Sequence, residues 1–92
     1  MTDAETTTDR IRAGVVFRRT PDGGIVLDKR SGAYSQVNSS AADVIEGLID
    51  GLTRDEIAHA ITGRYEAADL AIVRSDVDAL VAQLREVGIV AR

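Results

Sequence analysis

Apolar positions in this chain first alternate and then recur at helical spacing. Over residues 13–19, Ala13, Val15 and Phe17 fall on one side and Gly14, Val16 and Arg18 on the other, the period of a half-buried strand. Thr20-Pro21-Asp22-Gly23-Gly24 follows, with a fixed φ at proline and freedom for positive φ at the glycines, so a hairpin is predicted into a second strand over 25–29. Arg30-Ser31-Gly32 makes the next turn. A third strand over 33–37 puts Tyr34 and Gln36 on one face and Ala33, Ser35 and Val37 on the other. As the last strand of a small meander it has a free edge, which is either a hazard or a binding site.

The period then changes to that of helices. Ala41, Val44, Ile45, Leu48 and Leu52 predict a first helix over 40–49, capped by Asn38 or Ser39 and stopped by Gly51. Thr53-Arg54-Asp55-Glu56 matches a capping box, so a second helix begins at Arg54, turns Ile57, Ala58 and Ile61 inward, and ends near Gly63. Asp69 caps a third and longest helix over 70–87. Its inward stripe reads Val73, Val77, Leu80, Leu84 and Val87, widened by Ile72 and Val81. Gly88 is its stop, and Ile89-Val90 is expected to fold back onto the core. The predicted fold class is α+β, a winged helix-turn-helix-like arrangement of a three-stranded antiparallel sheet and three helices. Residues 1–10 show no such periodicity and are expected to form a disordered tail before one domain over 11–92.

Composition narrows the chemistry. Hydrophobic residues make up 45% of the 92 but aromatics only 3%, so the core is aliphatic. There is no cysteine for a disulfide or a thiolate metal site, in keeping with a reducing compartment. Residues 1–9 lack an apolar signal-peptide core, and no run has the length of a membrane span. The expected location is the cytoplasm. Of 11 basic and 15 acidic residues, six bases and two acids lie in 10–38, but five bases and ten acids in 39–92. An acidic helical half argues against nucleic acid as the partner, because duplex affinity comes mainly from phosphate neutralisation.

Catalytic groups are scarce. His59 is the one histidine and has surface or boundary character between two alanines; no cofactor or metal site is expected, since no ligands cluster at metal spacing. Gly23-Gly24 lacks the helix and Gly-Lys-Ser/Thr of a phosphate loop. Ser39-Ser40 reads as helix capping rather than an anion site. Asp76 and Asp78 point about 200° apart on one helix and so form no carboxylate pair; Asp76 borders the apolar stripe.

The ordered set Val26-Leu27-Asp28, Gly32, Val37-Asn38, Ala41-Ala42-Asp43-Val44-Ile45, Leu48-Ile49-Asp50-Gly51, Thr53, Glu56-Ile57, Arg64-Tyr65, Asp76-Val77 and Leu84 to Val90 resembles the PqqD-like family, also called RiPP recognition elements. The resemblance runs over roughly residues 15–90 and is strongest to stand-alone proteins of lasso-peptide pathways. Ala33 after Gly32, and Ile45 where the family often has tryptophan, depart from its common pattern. The resemblance implies a carrier without catalysis that binds the leader of a ribosomally made precursor peptide and presents it to a leader peptidase and an ATP-dependent macrolactam synthetase. It also implies the site. The backbone of Ala33, Tyr34, Ser35, Gln36 and Val37 would pair with the leader, and Val73, Arg74, Asp76, Val77 and Leu80 would line the other wall. Two other readings use the same features: a winged-helix DNA-binding regulator, and a leader-binding subunit for a different peptide-modifying enzyme.

Overall fold

The structure is a computed structural model and describes residues 8–91. Strands β1 (Val15–Thr20), β2 (Gly23–Asp28) and β3 (Tyr34–Asn38) precede helices α1 (Ser39–Ile49), α2 (Arg54–Arg64) and α3 (Leu70–Glu86). The sheet is antiparallel in the order β1-β2-β3, with Val16 opposite Leu27 and Leu27 opposite Tyr34. This is the expected α+β architecture, with elements displaced by a residue or two.

The largest displacement is at Gly23 and Gly24, expected in the turn but found inside β2. Gly23 has φ +148, and a β-carbon there would collide with the Val37 carbonyl of β3; one at Gly24 would enter the Phe17 ring. These glycines are selected by the close approach of neighbouring chain, so Pro21 and Asp22 alone form the turn. The third strand begins after Ala33 and runs into Asn38, whose side chain caps α1 by accepting from Ala41 N–H at 2.9 Å.

Local signals set the helices. Thr53 Oγ1 accepts from Glu56 N–H at 3.1 Å while Glu56 accepts from Thr53 N–H at 2.8 Å, completing the capping box of α2. Asp69 accepts from the Ala71 and Ile72 amides at the start of α3, and Gly88 ends that helix with φ +87.

The inner face of the sheet and the three helices enclose an aliphatic core. Val44, Ile45, Ile57, Val77, Val81 and Val90 are its largest fully buried side chains, and burying each contributes about 1.5–3 kcal/mol. Two members of the expected stripe on α3 are not in this core: Ile72 and Val87 are 62% and 69% exposed.

Buried Asp43 is met by Arg19 and by Arg64 at 3.2 Å. The hydrogen bond to Asp43, with a second to Glu46, raises the Arg19 pKa. The chain ends are stitched together. Ile11 bridges Val90, the Arg12 amide donates to the Ile89 carbonyl at 2.8 Å, and the Ala91 amide donates to the Arg10 carbonyl at 2.7 Å. Ile89 and Val90 thus fold back as expected. Residues 1–7 of the expected tail lie outside the described residues, but its end is ordered by charge: Asp9 accepts from Arg54 at 2.8 Å and Arg85 at 2.7 Å. Among the described residues no helix is long and apolar enough to cross a membrane.

Candidate functional site

Two strands lie at sheet edges, and their chemistry differs. β1 carries Arg18 and Arg19, and charged edges resist further pairing. β3 reads Tyr-Ser-Gln-Val-Asn, without a charge, and pairs only with β2. The Asp28 amide donates to the Ala33 carbonyl at 2.8 Å, which sets the parity of the ladder. Bonded and non-bonded pairs alternate, so Val26–Ser35 and Gly24–Val37 are bonded pairs. The N–H and C=O groups of Tyr34 and Gln36 therefore point away from the sheet.

Beside that edge a groove of about 540 Å³ runs between β3 and the second half of α3. Val37, Leu80, Leu84, Val87 and Ile89 give it apolar walls, and Gln83 and Glu86 give it a polar lip. Leu80 also lines a second hollow, of about 360 Å³, where the start of α1, the end of α2 and α3 converge. Val73, Asp76 and Tyr65 line this hollow as well. Through Leu80 the two depressions share a wall along α3.

The residues singled out from the sequence divide into groups. Ser35, Gln36 and Val37 line the groove, and Tyr34 lies on the same edge, 73% exposed. Ala33 lies just before β3 and is occupied in the turn, its amide donating to Ser31 Oγ at 3.2 Å. Val73, Asp76 and Leu80 line the second hollow. Val77 touches it too but is 1% exposed, so it belongs chiefly to the core. Arg74 is not brought to either depression. One residue on from Val73, it is rotated by a helical step toward α2, where its Nε donates to Asp55 at 2.6 Å. This bond, with His59 nearby as a lesser cause, holds the Asp55 pKa below its ordinary value.

Gln83, Leu84, Glu86, Val87 and Ile89 are groove residues absent from that set. A signal for them existed. Val87 continues the spacing of Leu80 and Leu84, but periodicity cannot distinguish a residue covered by the sheet from one left beside its open edge. His59 is exposed, with Nε2 3.5 Å from Asp55, and among the described residues no group of three or more His, Cys, Asp or Glu is gathered as metal ligands.

An uncharged strand edge facing an apolar groove frames the comparisons with known proteins. A search of the curated proteins finds no match. Among solved structures, a lasso peptide synthetase B1 complexed with the leader peptide is 32% identical, with a TM-score of 0.81 over 94% of this chain and 100% of that one. TbiB1 in complex with the TbiA(beta) leader peptide is 22% identical, with a TM-score of 0.79 over 89% and 94% of the two chains, a likeness of fold. The family model for coenzyme PQQ synthesis protein D (PqqD) matches residues 23–90, from the first residue of β2 through the buried Val90. With the sheet edge, all three helices and the groove inside the matched span, this chain belongs to the PqqD family.

Proposed function

We propose that this chain is a non-catalytic recognition module that binds the leader of a ribosomally synthesised precursor peptide and presents it, in the cytoplasm, to the leader peptidase and ATP-dependent macrolactam synthetase of a lasso-peptide pathway. The leader adds to β3 as a fourth strand, against α3. The observation that carries this is the open, uncharged edge of β3 beside a groove in which Val87 is 69% exposed. Membership of the PqqD family and the likeness to a leader-bound synthetase B1 support it.

Strand addition divides the work between backbone and side chains. Tyr34 and Gln36 offer two N–H and two C=O groups, and at about 1 kcal/mol net each these supply roughly 4 kcal/mol. Association costs about 4–15 kcal/mol in lost freedom. Backbone pairing alone therefore does not hold a peptide, and the apolar groove must supply the remainder through alternate leader side chains. A leader anchored in this way raises the effective concentration of its attached core near an enzyme docked on the same domain.

A DNA-binding role is disfavoured by the engagement of both arginines within α3. Arg74 is bound to Asp55 and Arg85 to Asp9, so neither is free for phosphate.

The test is a fluorescence anisotropy titration with a labelled synthetic leader from the nearest short precursor gene, a scrambled leader and a duplex oligonucleotide. Saturable binding of the native leader alone is expected. Binding of the duplex alone would make this protein a regulator.

A further inference from the structure

We infer that the peptide taken by this groove is cationic, with its basic side chains concentrated at the end that lies beside Asn38. The premise is the leader-binding role above; the addition is the chemical class of the leader and the polarity of its charge.

Every charged side chain lining the depressions around β3 is acidic. Glu86 lies on the lip of the main groove, Asp76 in the hollow at the start of α1, and Asp22 in a third depression, of about 420 Å³, at the Asn38 end of β3. Asp43 also reaches the hollow, but Arg19 and Arg64 neutralise it. Asp22, Asp76 and Glu86 are exposed and have no ion-pair partner among the described residues, so their charge is available to a ligand. Stability does not explain Glu86. It is the last residue of α3, where the helix dipole disfavours an anion.

The opposite edge has the reverse sign. Arg10 lines the depression along β1, where Arg12 is neutralised by Asp28 at 2.7 Å, and the Arg30 side chain lies beside Gly14, where a β-carbon would be 3.6 Å from its Cγ. Among the described residues neither Arg10 nor Arg30 has an ion-pair partner. A peptide bearing lysine or arginine is thus attracted to the β3 side and repelled from β1, and an acidic peptide is not favoured at β3.

The placement of the acids gives the charge its direction. Gly23 is opposite Asn38, so Asp22 adjoins the C-terminal end of β3, and the hollow holding Asp76 is lined by Ser39 and Ser40 at that same end. Glu86 is near the other end of the groove, beside Val87. Two carboxylates against one put the stronger attraction beside Asn38. If the leader continues the antiparallel order of the sheet, its N-terminal part meets this pair.

The experiment uses the full chain and the labelled synthetic leader, with two altered leaders in which lysines and arginines become glutamine or glutamate. Titrations run in about 50 and 500 mM NaCl, where the screening length falls from over 10 Å to about 4 Å. The protein variant is Asp22→Asn/Asp76→Asn/Glu86→Gln, with circular dichroism and a melting curve to establish folding. Exposed pairs are weak individually, and three together correspond to about tenfold in Kd. We expect the glutamine leader, the high salt and the triple variant each to weaken binding by about that factor, the glutamate leader to bind weaker still, and the triple variant to lose its salt dependence. Native-leader binding indifferent to salt and to the triple variant, or a native leader without basic residues, overturns the charge inference and leaves the leader-binding role standing. Failure of the native leader to bind at either salt overturns both.

Discussion

Proline at two adjacent positions of β3 separates edge binding from fold. The ladder parity points the Gln36 amide outward and the Ser35 amide at Val26. Gln36→Pro removes a donor that the free protein does not use. The leader loses one backbone hydrogen bond, about 1 kcal/mol net, and Kd rises roughly fivefold, or more if the pyrrolidine ring holds the incoming strand away. Ser35→Pro instead breaks a bond within the sheet and leaves the carbonyl of Val26, a residue 4% exposed, without its partner. That costs about 1–3 kcal/mol, and each kcal/mol lowers the melting temperature of a domain this size by roughly 4–8 °C. Melting curves establish which variant remains folded, and anisotropy titrations with the labelled leader measure the affinity. The expected pattern is crossed: Gln36→Pro loses affinity with little loss of stability, whereas Ser35→Pro loses stability. A folded Gln36→Pro variant that binds the leader as wild type does would refute strand addition at this edge.

Val87→Ser should reduce leader affinity about fivefold with the melting temperature unchanged, because its apolar surface becomes covered only on binding. Val77→Asp is a poor probe of the groove, since a charge at a position 1% exposed unfolds the core; its melting curve should show no cooperative native transition. The hydrogen bond from Arg54 holds the Asp9 pKa below the ordinary 3.8, aided by Arg85 and opposed by partial burial. A depressed carboxylate contributes stability above its unfolded pKa and loses it as pH falls through the folded one. Asp9→Asn should therefore lower the melting temperature by about 10 °C at neutral pH, from about 2 kcal/mol of charge-assisted hydrogen bonding. The gap should narrow below pH 3.8, and a gap independent of pH would exclude the ion pair as its cause. In Gly47→Ala, the added methyl would lie 2.5 Å from Ile57 Cγ1 and 2.9 Å from Cδ1. Overpacking of about 1–3 kcal/mol outweighs the gain in helix propensity of about 1 kcal/mol, so chemical denaturation should show net destabilisation.

Much of the fold was legible because its signals are local. Alternation from Val15 to Phe17, the Asn38, Thr53 and Asp69 caps and the helical spacing of Val77, Leu80 and Leu84 each bear on a few neighbouring residues, and all survived in the structure. The candidate strand was legible for the same reason. Gly23 and Gly24 were misplaced because composition cannot distinguish a glycine that turns the chain from one pressed against another strand. The ion pair of Arg74 was not legible because a charge beside an apolar stripe has no sequence signal for its partner, here Asp55 on α2.

Alone, the sequence determined the order and kind of the elements, the aliphatic core, and the family to which the chain belongs. Tertiary structure decided what each surface residue faces. It joined Asp9 to Arg54 and Arg85 and placed Val87 beside an open edge instead of beneath a strand. It also gathered Asp22, Asp76 and Glu86 around β3 from separate parts of the chain. The physical reason is range. Periodicity and capping act within a turn or two of the backbone, whereas exposure and charge depend on residues brought close only when the sheet and helices pack.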